Sequence, residues 1–381
     1  MKRTMKKMVS MALTGTMAVA VLAGAGTSEV KAADKAKIGV LVADVSGEEA
    51  QGFRSYYENY IAGNYDVEFN YTDALQSAED EKTAIEKFAS QGCQAIISFS
   101  SNDRVQQIET CEKYGVYYAV ASGVLDDAQY ETYKTYEYFA GQVGPGNDTE
   151  FEAGKDMGAY YKEQGVSKVA IYGAFIPNPM HVYRVAGVLN GLGCTYGGES
   201  DMNAIAGQIF QDQTVDLSKV EGDVEVVSYL QGYGDTTTDE LNAAIQKTPD
   251  AFISVGMATT FFAQSLSEAG ISFSDIDSFT ETNGNSMKNG TLTYLAGKYS
   301  SSIGPVFALV MNAINGNVIR DEDGNAPSIS QGYLVPTDSD TFDKYSVSDS
   351  GDAPIYDKET LDSIIGDNVT FEDVKTLVES K

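Results

Sequence analysis

His181 is the only histidine in 381 residues, and Arg184 stands one helical turn beyond it. Residues three apart share a helix face. Asn178-Pro179 just before them is a helix-start signal. The free N–H groups of a first turn and the helix dipole would therefore sit beside both side chains. That combination suits a hydrogen-bond acceptor or an anion better than covalent chemistry, because no nucleophile elbow accompanies the imidazole. Packing on the outer helix surface is the competing reading. Ser100, Ser101 and Ser122 follow short apolar runs, where a hydroxyl either caps the next helix or meets a ligand. Asp44, Ser46, Phe175, Asn178, Tyr233, Met257 and Asn283 occupy similar places, with Phe175 and Met257 competing as core fillers.

Other motifs carry less. Gly144-Pro145-Gly146 is not followed by the third glycine of a dinucleotide fingerprint in register. Asp321-Glu322-Asp323-Gly324-Asn325 has calcium-loop carboxylates, but its glycine comes early and Gly332 stands where the closing Glu belongs, so it reads as a turn. Cys93, Cys111 and Cys194 form no CxxC pair. Each reads as a buried thiol, with a Cys93–Cys111 bridge as the alternative. No metal or cofactor is expected.

Composition narrows the partners. With 26 basic against 55 acidic side chains, the net charge of −29 argues against nucleic acid and disfavours anionic lipid. At 43% hydrophobic and 21% charged the chain is globular, and its length predicts two to three domains. Lys2, Arg3, Lys6 and Lys7 precede the apolar run Met8–Ala25, which Ser10, Thr14, Gly15 and Thr16 interrupt. Such a run is a poor membrane span but a good secretory core. Val30-Lys31-Ala32 supplies small residues at −3 and −1, so residues 1–32 read as a signal peptide and Ala33 as the mature start. Leu22-Ala23-Gly24-Ala25 resembles a bacterial lipobox with Ala25 in place of the Cys that would be acylated. An exterior location without a lipid anchor is expected.

The elements that must position these residues alternate strand with helix. Strands are expected over Ile38–Val42, Val67–Asn70, Ala95–Phe99 and Val116–Ala121, with helices over Glu48–Ala62, Ala78–Gln91 and Arg104–Tyr114. A Gly-rich break, Gly141–Asn147, precedes a second series. Its helices are expected over Glu150–Gln164, His181–Leu192, Thr237–Gln246 and Thr260–Ala269. Its strands are expected over Lys168–Tyr172, Val224–Tyr229, Ala251–Val255 and Ser278–Thr282. Then come a strand at Thr291–Ala296, an apolar helix Ile303–Ile314 and a strand Ile329–Val335. The acidic stretch Thr337–Asp352 reads as loosely packed, and Leu361–Leu377 as one or two short helices. Alternation with runs this apolar argues an α/β fold of two parallel-sheet lobes, each covered on both faces.

Lys37-Ile38-Gly39-Val40, and Ala84–Ile97 after it, resemble the first lobe of type I solute-binding proteins. Thr248–Ile253, Ala269-Gly270-Ile271, Gly290–Thr293, Ile303-Gly304 and Asn312–Gly316 are similar to later parts of that family, over about residues 36–335. The nearest likeness is the sugar-binding branch that serves ABC importers. The resemblance implies a three-crossing hinge and a ligand held between the lobes, with crossings expected near 141, 290 and 325. It assigns residues 33–141 and 290–320 to the first lobe, 142–289 and 321–345 to the second, and 346–381 to an acidic tail with short helices.

The sequence departs from the sugar pattern in four places. Ser46–Ala50 lacks stacking aromatics, Ser101 stands for an acidic residue, Ser122-Gly123 replace an Asp-Arg pair, and Gly256 replaces a second acidic residue. The expectation is a non-enzymatic, monomeric exterior receptor. It would take a carbohydrate-like or nucleoside-like solute and pass it to an ABC permease. A sensory or chemotaxis binding protein on the same fold is the first alternative, and a secreted hydrolase the second. A DNA-binding regulator of the superfamily is disfavoured by the signal peptide and the acidity.

Overall fold

The computed structural model describes residues 35–349 and 353–381. The expected signal peptide, the Ala33 start and Ala25 lie outside them.

The strands run, in chain order, β1 Ala36–Leu41, β2 Val67–Tyr71, β3 Ala95–Ser98, β4 Tyr117–Ala121, β5 Phe139–Gly144 and β6 Lys168–Tyr172. They continue as β7 Thr195–Tyr196, β8 Val220–Glu221, β9 Glu225–Leu230, β10 Ala251–Ser254, β11 Ser272–Ser278, β12 Leu292–Lys298 and β13 Ser328–Ser330. One parallel sheet has the order β13-β5-β4-β3-β1-β2, and a second has the order β12-β11-β10-β6-β9. Ile38, Val40, Ile96, Ile97, Ala119 and Val120 are wholly enclosed in the first sheet, and Val169, Ile171, Phe252 and Ile253 almost so in the second. Their runs are apolar on both faces because helices cover both sides.

Three expected elements change. The strand expected over Ile329–Val335 is only the short β13. Gly141–Asn147, read as a break, begins as strand β5. Its glycines admit close backbone neighbours instead of ending the strand: a Cβ on Gly141 would lie 2.7 Å from Pro327 O, and one on Gly144 2.2 Å from Gly123 N. The strand expected at Ser278–Thr282 lies earlier, at β11, and a helix Glu281–Lys288 follows it. Ser274 and Asp275 are buried in β11, so the run lacked the apolar signature of an enclosed strand.

The chain leaves the first lobe after β5, returns after β12 and leaves again after β13. Strand β12, assigned by resemblance to the first lobe, pairs with β11 in the second. Residues 328–330, assigned to the second, pair with β5 in the first. The helix Gly304–Ile314 packs on β3, β4 and β5, as its place in the first lobe requires. The acidic stretch is not loose throughout: Ser339–Asp349 is a helix whose Phe342 is buried against Phe279 of the second lobe, ring centres 5.3 Å apart. Beyond it Tyr356 is back on the first lobe, where its carbonyl accepts from Tyr56 Oη at 2.5 Å. Asn312 Nδ2 donates to Ile364 O and its Oδ1 accepts from Gly366 N, both at 2.8 Å. The chain thus passes between the lobes a fourth time, and the tail is built into lobe one.

The helices Asn147–Glu163 and Pro179–Gly191 touch backbone to backbone. Gly154, Gly158, Gly187 and Gly191 face across the contact, and a Cβ on Gly187 or Gly191 would fall 2.0 Å from the carbonyl oxygen of Phe151 or Lys155.

Candidate functional site

Between the two sheets lies an open cleft of about 1120 Å³, beyond the carboxyl ends of the first lobe's strands. Asp44, Ser101, Ser122 and Asn178 line it. Asp44 follows β1 and accepts from Ser46 N at 2.9 Å, Ser46 Oγ at 3.0 Å and Gly47 N at 3.0 Å. The Ser46 amide is the main reason its carboxyl sits below the usual range. Ser46 therefore serves this turn. Ser122 sits at φ 55, which turns the chain sharply after β4. Asn178 caps the helix Pro179–Gly191 through Met180 N at 3.1 Å.

Ser100 is buried away from the cleft and donates to Glu81 Oε1 at 2.5 Å. Glu81 also accepts from Asn102 N at 3.0 Å, Asn102 Nδ2 at 3.1 Å and Asp103 N at 2.9 Å. Burial pushes its acidity the other way, yet the donors from Ser100, Gln107 and the main chain hold the carboxyl below its ordinary value.

Phe175, His181, Tyr233, Met257 and Asn283 are not among the residues lining the cleft. Tyr233 is exposed and stacks on Phe261 at 4.1 Å, Met257 turns the chain at φ 68, and Asn283 is enclosed with its Nδ2 on Ser278 O at 2.8 Å. His181, expected beside Arg184 to meet an acceptor or an anion, is buried, and its Nδ1 accepts from Phe175 N at 3.2 Å. Burial first, and the Arg184 charge second, push the imidazole down to about 4. Arg184 is enclosed too: Nε and Nη2 donate to Glu150 at 2.6 and 3.1 Å, Nη2 also to Tyr333 Oη at 2.7 Å, and Nη1 to Val255 O at 2.9 Å. The His181–Arg184 pair therefore offers no free cation.

Among the described residues, no cluster of His, Cys, Asp and Glu could hold a metal ion, and no helix is long and apolar enough to cross a membrane. Cys93, Cys111 and Cys194 are free and buried.

No family model and no curated protein matches this chain. Solved structures do. The ABC transporter periplasmic solute-binding protein from Actinobacillus succinogenes 130z, with bound D-allose, aligns with a TM-score of 0.61 at 16% identity, over 82% of this chain and 100% of that one. The arabinose ABC transporter binding protein from Shewanella sp. ANA-3, bound to L-arabinofuranose, gives 0.58 at 16%, over 82% and 95%. A Bacillus halodurans C-125 solute-binding protein with bound myo-inositol gives 0.56 at 16%, over 83% and 99%. The chain has the type I periplasmic-binding-protein fold.

Within this binding-protein fold, sequence reading missed several residues of the cleft. Arg104, the first residue of the helix Arg104–Tyr114, lines it. A cation in a helix's first turn opposes the dipole, which is the signal that could have found it. Lys298, at the end of β12, meets Glu49 of the first lobe at 2.8 Å and so bridges the two lobes. Glu150 and Tyr333 reach the cleft from the Arg184 cluster, beside the first and third passages of the chain.

The second lobe has its own buried carboxyl. Asp275 accepts from Thr259 N at 2.8 Å and Ser254 Oγ at 3.0 Å. Burial, then the neighbouring Asp277, pushes it up to about 7.

Proposed function

We propose that this protein is a secreted solute-binding receptor that captures a small carbohydrate-like molecule between its lobes and delivers it to an ABC permease. The observation that carries the reading is the cleft of about 1120 Å³ between two parallel-sheet lobes that the chain crosses repeatedly. Such lobes close on a ligand by hinge motion. Solved proteins of the same fold are described with arabinofuranose, allose and myo-inositol bound. The receptor acts as a monomer outside the cell after loss of residues 1–32, carries no lipid and performs no chemistry on its cargo.

A thermal-shift screen of sugars, cyclitols and nucleosides tests this. A ligand at a hundredfold excess over Kd should add about 2.7 kcal/mol of stability. No shift with any sugar or cyclitol overturns the carbohydrate reading, and turnover of a bound sugar overturns the receptor reading.

A further inference from the structure

The cleft contains a cation that the protein does not neutralise. Arg104 Nη1 donates to Val124 O at 2.6 Å, and Nε is buried without a partner. No carboxylate among the described residues pairs with this guanidinium; Glu81 acts on it only at a distance. The other described arginines are all provided for. Arg54 meets Glu58 at 3.0 Å, Arg184 meets Glu150 at 2.6 Å, and Arg320 donates to the carbonyls of Ile319, Tyr136 and Glu137.

The acids near Arg104 are already engaged. Glu81 holds the Ser100–Asp103 loop, Asp103 accepts from Gln106 N at 2.9 Å, and Asp126 accepts from Gln129 N at 2.8 Å. Beside the guanidinium stands Gly123, where a Cβ would lie 3.2 Å from Nη2. Its φ of +148° favours glycine in any case, and the missing side chain leaves the Nη2 edge open to the cleft. An unpaired guanidinium becomes more costly as water is excluded around it, unless a planar acceptor meets its fork.

We propose that the ligand is a sugar acid, and that Arg104 holds its carboxylate. This rests on the receptor reading above. One unpaired cation matches a monoanion. A phosphate ester, with about two charges at neutral pH, would leave one unmatched facing Asp126, Asp127 and Asp148, which line the same cleft. In a chain of net charge −29, an anionic ligand needs a local reversal of sign, and Arg104 supplies it.

The test is calorimetric titration of the full chain with D-glucuronate, D-galacturonate and D-gluconate, each beside its neutral parent sugar, and with glucose 6-phosphate. At least one acid should bind roughly tenfold to a hundredfold more tightly than its parent. Arg104→Met should erase that preference, and Arg104→Lys, which keeps charge but loses the fork, should keep part of it. The ligand-free melting temperature of Arg104→Met reports folding, and the Lys variant carries the comparison if the Met variant does not fold. Neutral sugars binding as well as their acids, a preference that survives Arg104→Met, or tighter binding of the phosphate overturns the proposal while leaving the receptor reading intact. Failure of every sugar, acid and neutral alike, overturns the proposal together with the carbohydrate reading.

Discussion

Glu81 in the first lobe and Asp275 in the second are both fully enclosed, and both fasten a loop at the end of a central strand. Their acidities nevertheless move in opposite directions. Glu81 receives donors from Ser100, Asn102 and Asp103, and together they outweigh its burial. Asp275 accepts from Ser254 Oγ, Thr259 N and Ile276 N, but lies deeper in the protein and stands next to Asp277. What separates them is how deeply each carboxyl is withdrawn from water and whether a like charge stands beside it.

The largest test removes Glu81. Glu81→Leu leaves the Ser100 hydroxyl and two main-chain N–H groups unpaired, and should cost about 3–5 kcal/mol in urea unfolding. A loss below about 1 kcal/mol would break the comparison at its first-lobe end.

Next comes Asp275→Asn. The folded value of Asp275 lies above that of the unfolded chain, so the native state holds the extra proton between about pH 4 and about 7. Its contribution is fully present below that window and is lost as pH rises through it. The variant should therefore be more stable than the parent above pH 7, by on the order of 2–4 kcal/mol, and the gain should vanish near pH 4. His181 works the other way. Its folded value near 4 lies below the unfolded one, so its contribution is present above about pH 6.5 and lost as pH falls toward 4. Difference curves for Asp275→Asn and His181→Asn must slope oppositely; parallel slopes would refute the assignment.

The smallest effect belongs to Lys298→Ala. The half-exposed pair with Glu49 should contribute no more than about 1 kcal/mol. Lys298 also lowers Asp277, so its removal should move the titration midpoint of the acid pair upward. An unmoved midpoint would detach the hinge ion pair from the second-lobe acids.

The first lobe was readable because β1, β3 and β4 are apolar runs bounded by helices with plain caps, such as Ser77 on Asp80 N and Asp103 on Gln106 N. Strand β11 was not, because a buried acid and serines interrupt it. The helix Met202–Asp212, which carries cleft residues Met202, Asn203 and Phe210, follows no enclosed strand and passed unread. The same limit applies to the site. Residues after first-lobe strands reach the cleft directly, whereas the second lobe lines it largely from the helices Asn147–Glu163, Pro179–Gly191 and Met202–Asp212, so Tyr233 and Met257, nominated from topology alone, lie outside the lining. Arg104 escaped notice because its meaning lies in what it lacks, and a missing partner is visible only in three dimensions.

The glycine contact between Asn147–Glu163 and Pro179–Gly191 has a mechanical consequence. With carbonyls pressed where side chains would be, the two helices form a single stiff beam. The second helix is about 20 Å long at 1.5 Å per residue. Its Asn178 end borders the cleft, and Arg184 at its middle grips Glu150 and Tyr333. Tyr333, in the segment where the chain turns from one lobe to the other, is thereby tied through Arg184 to the helix whose Asn178 end borders the cleft.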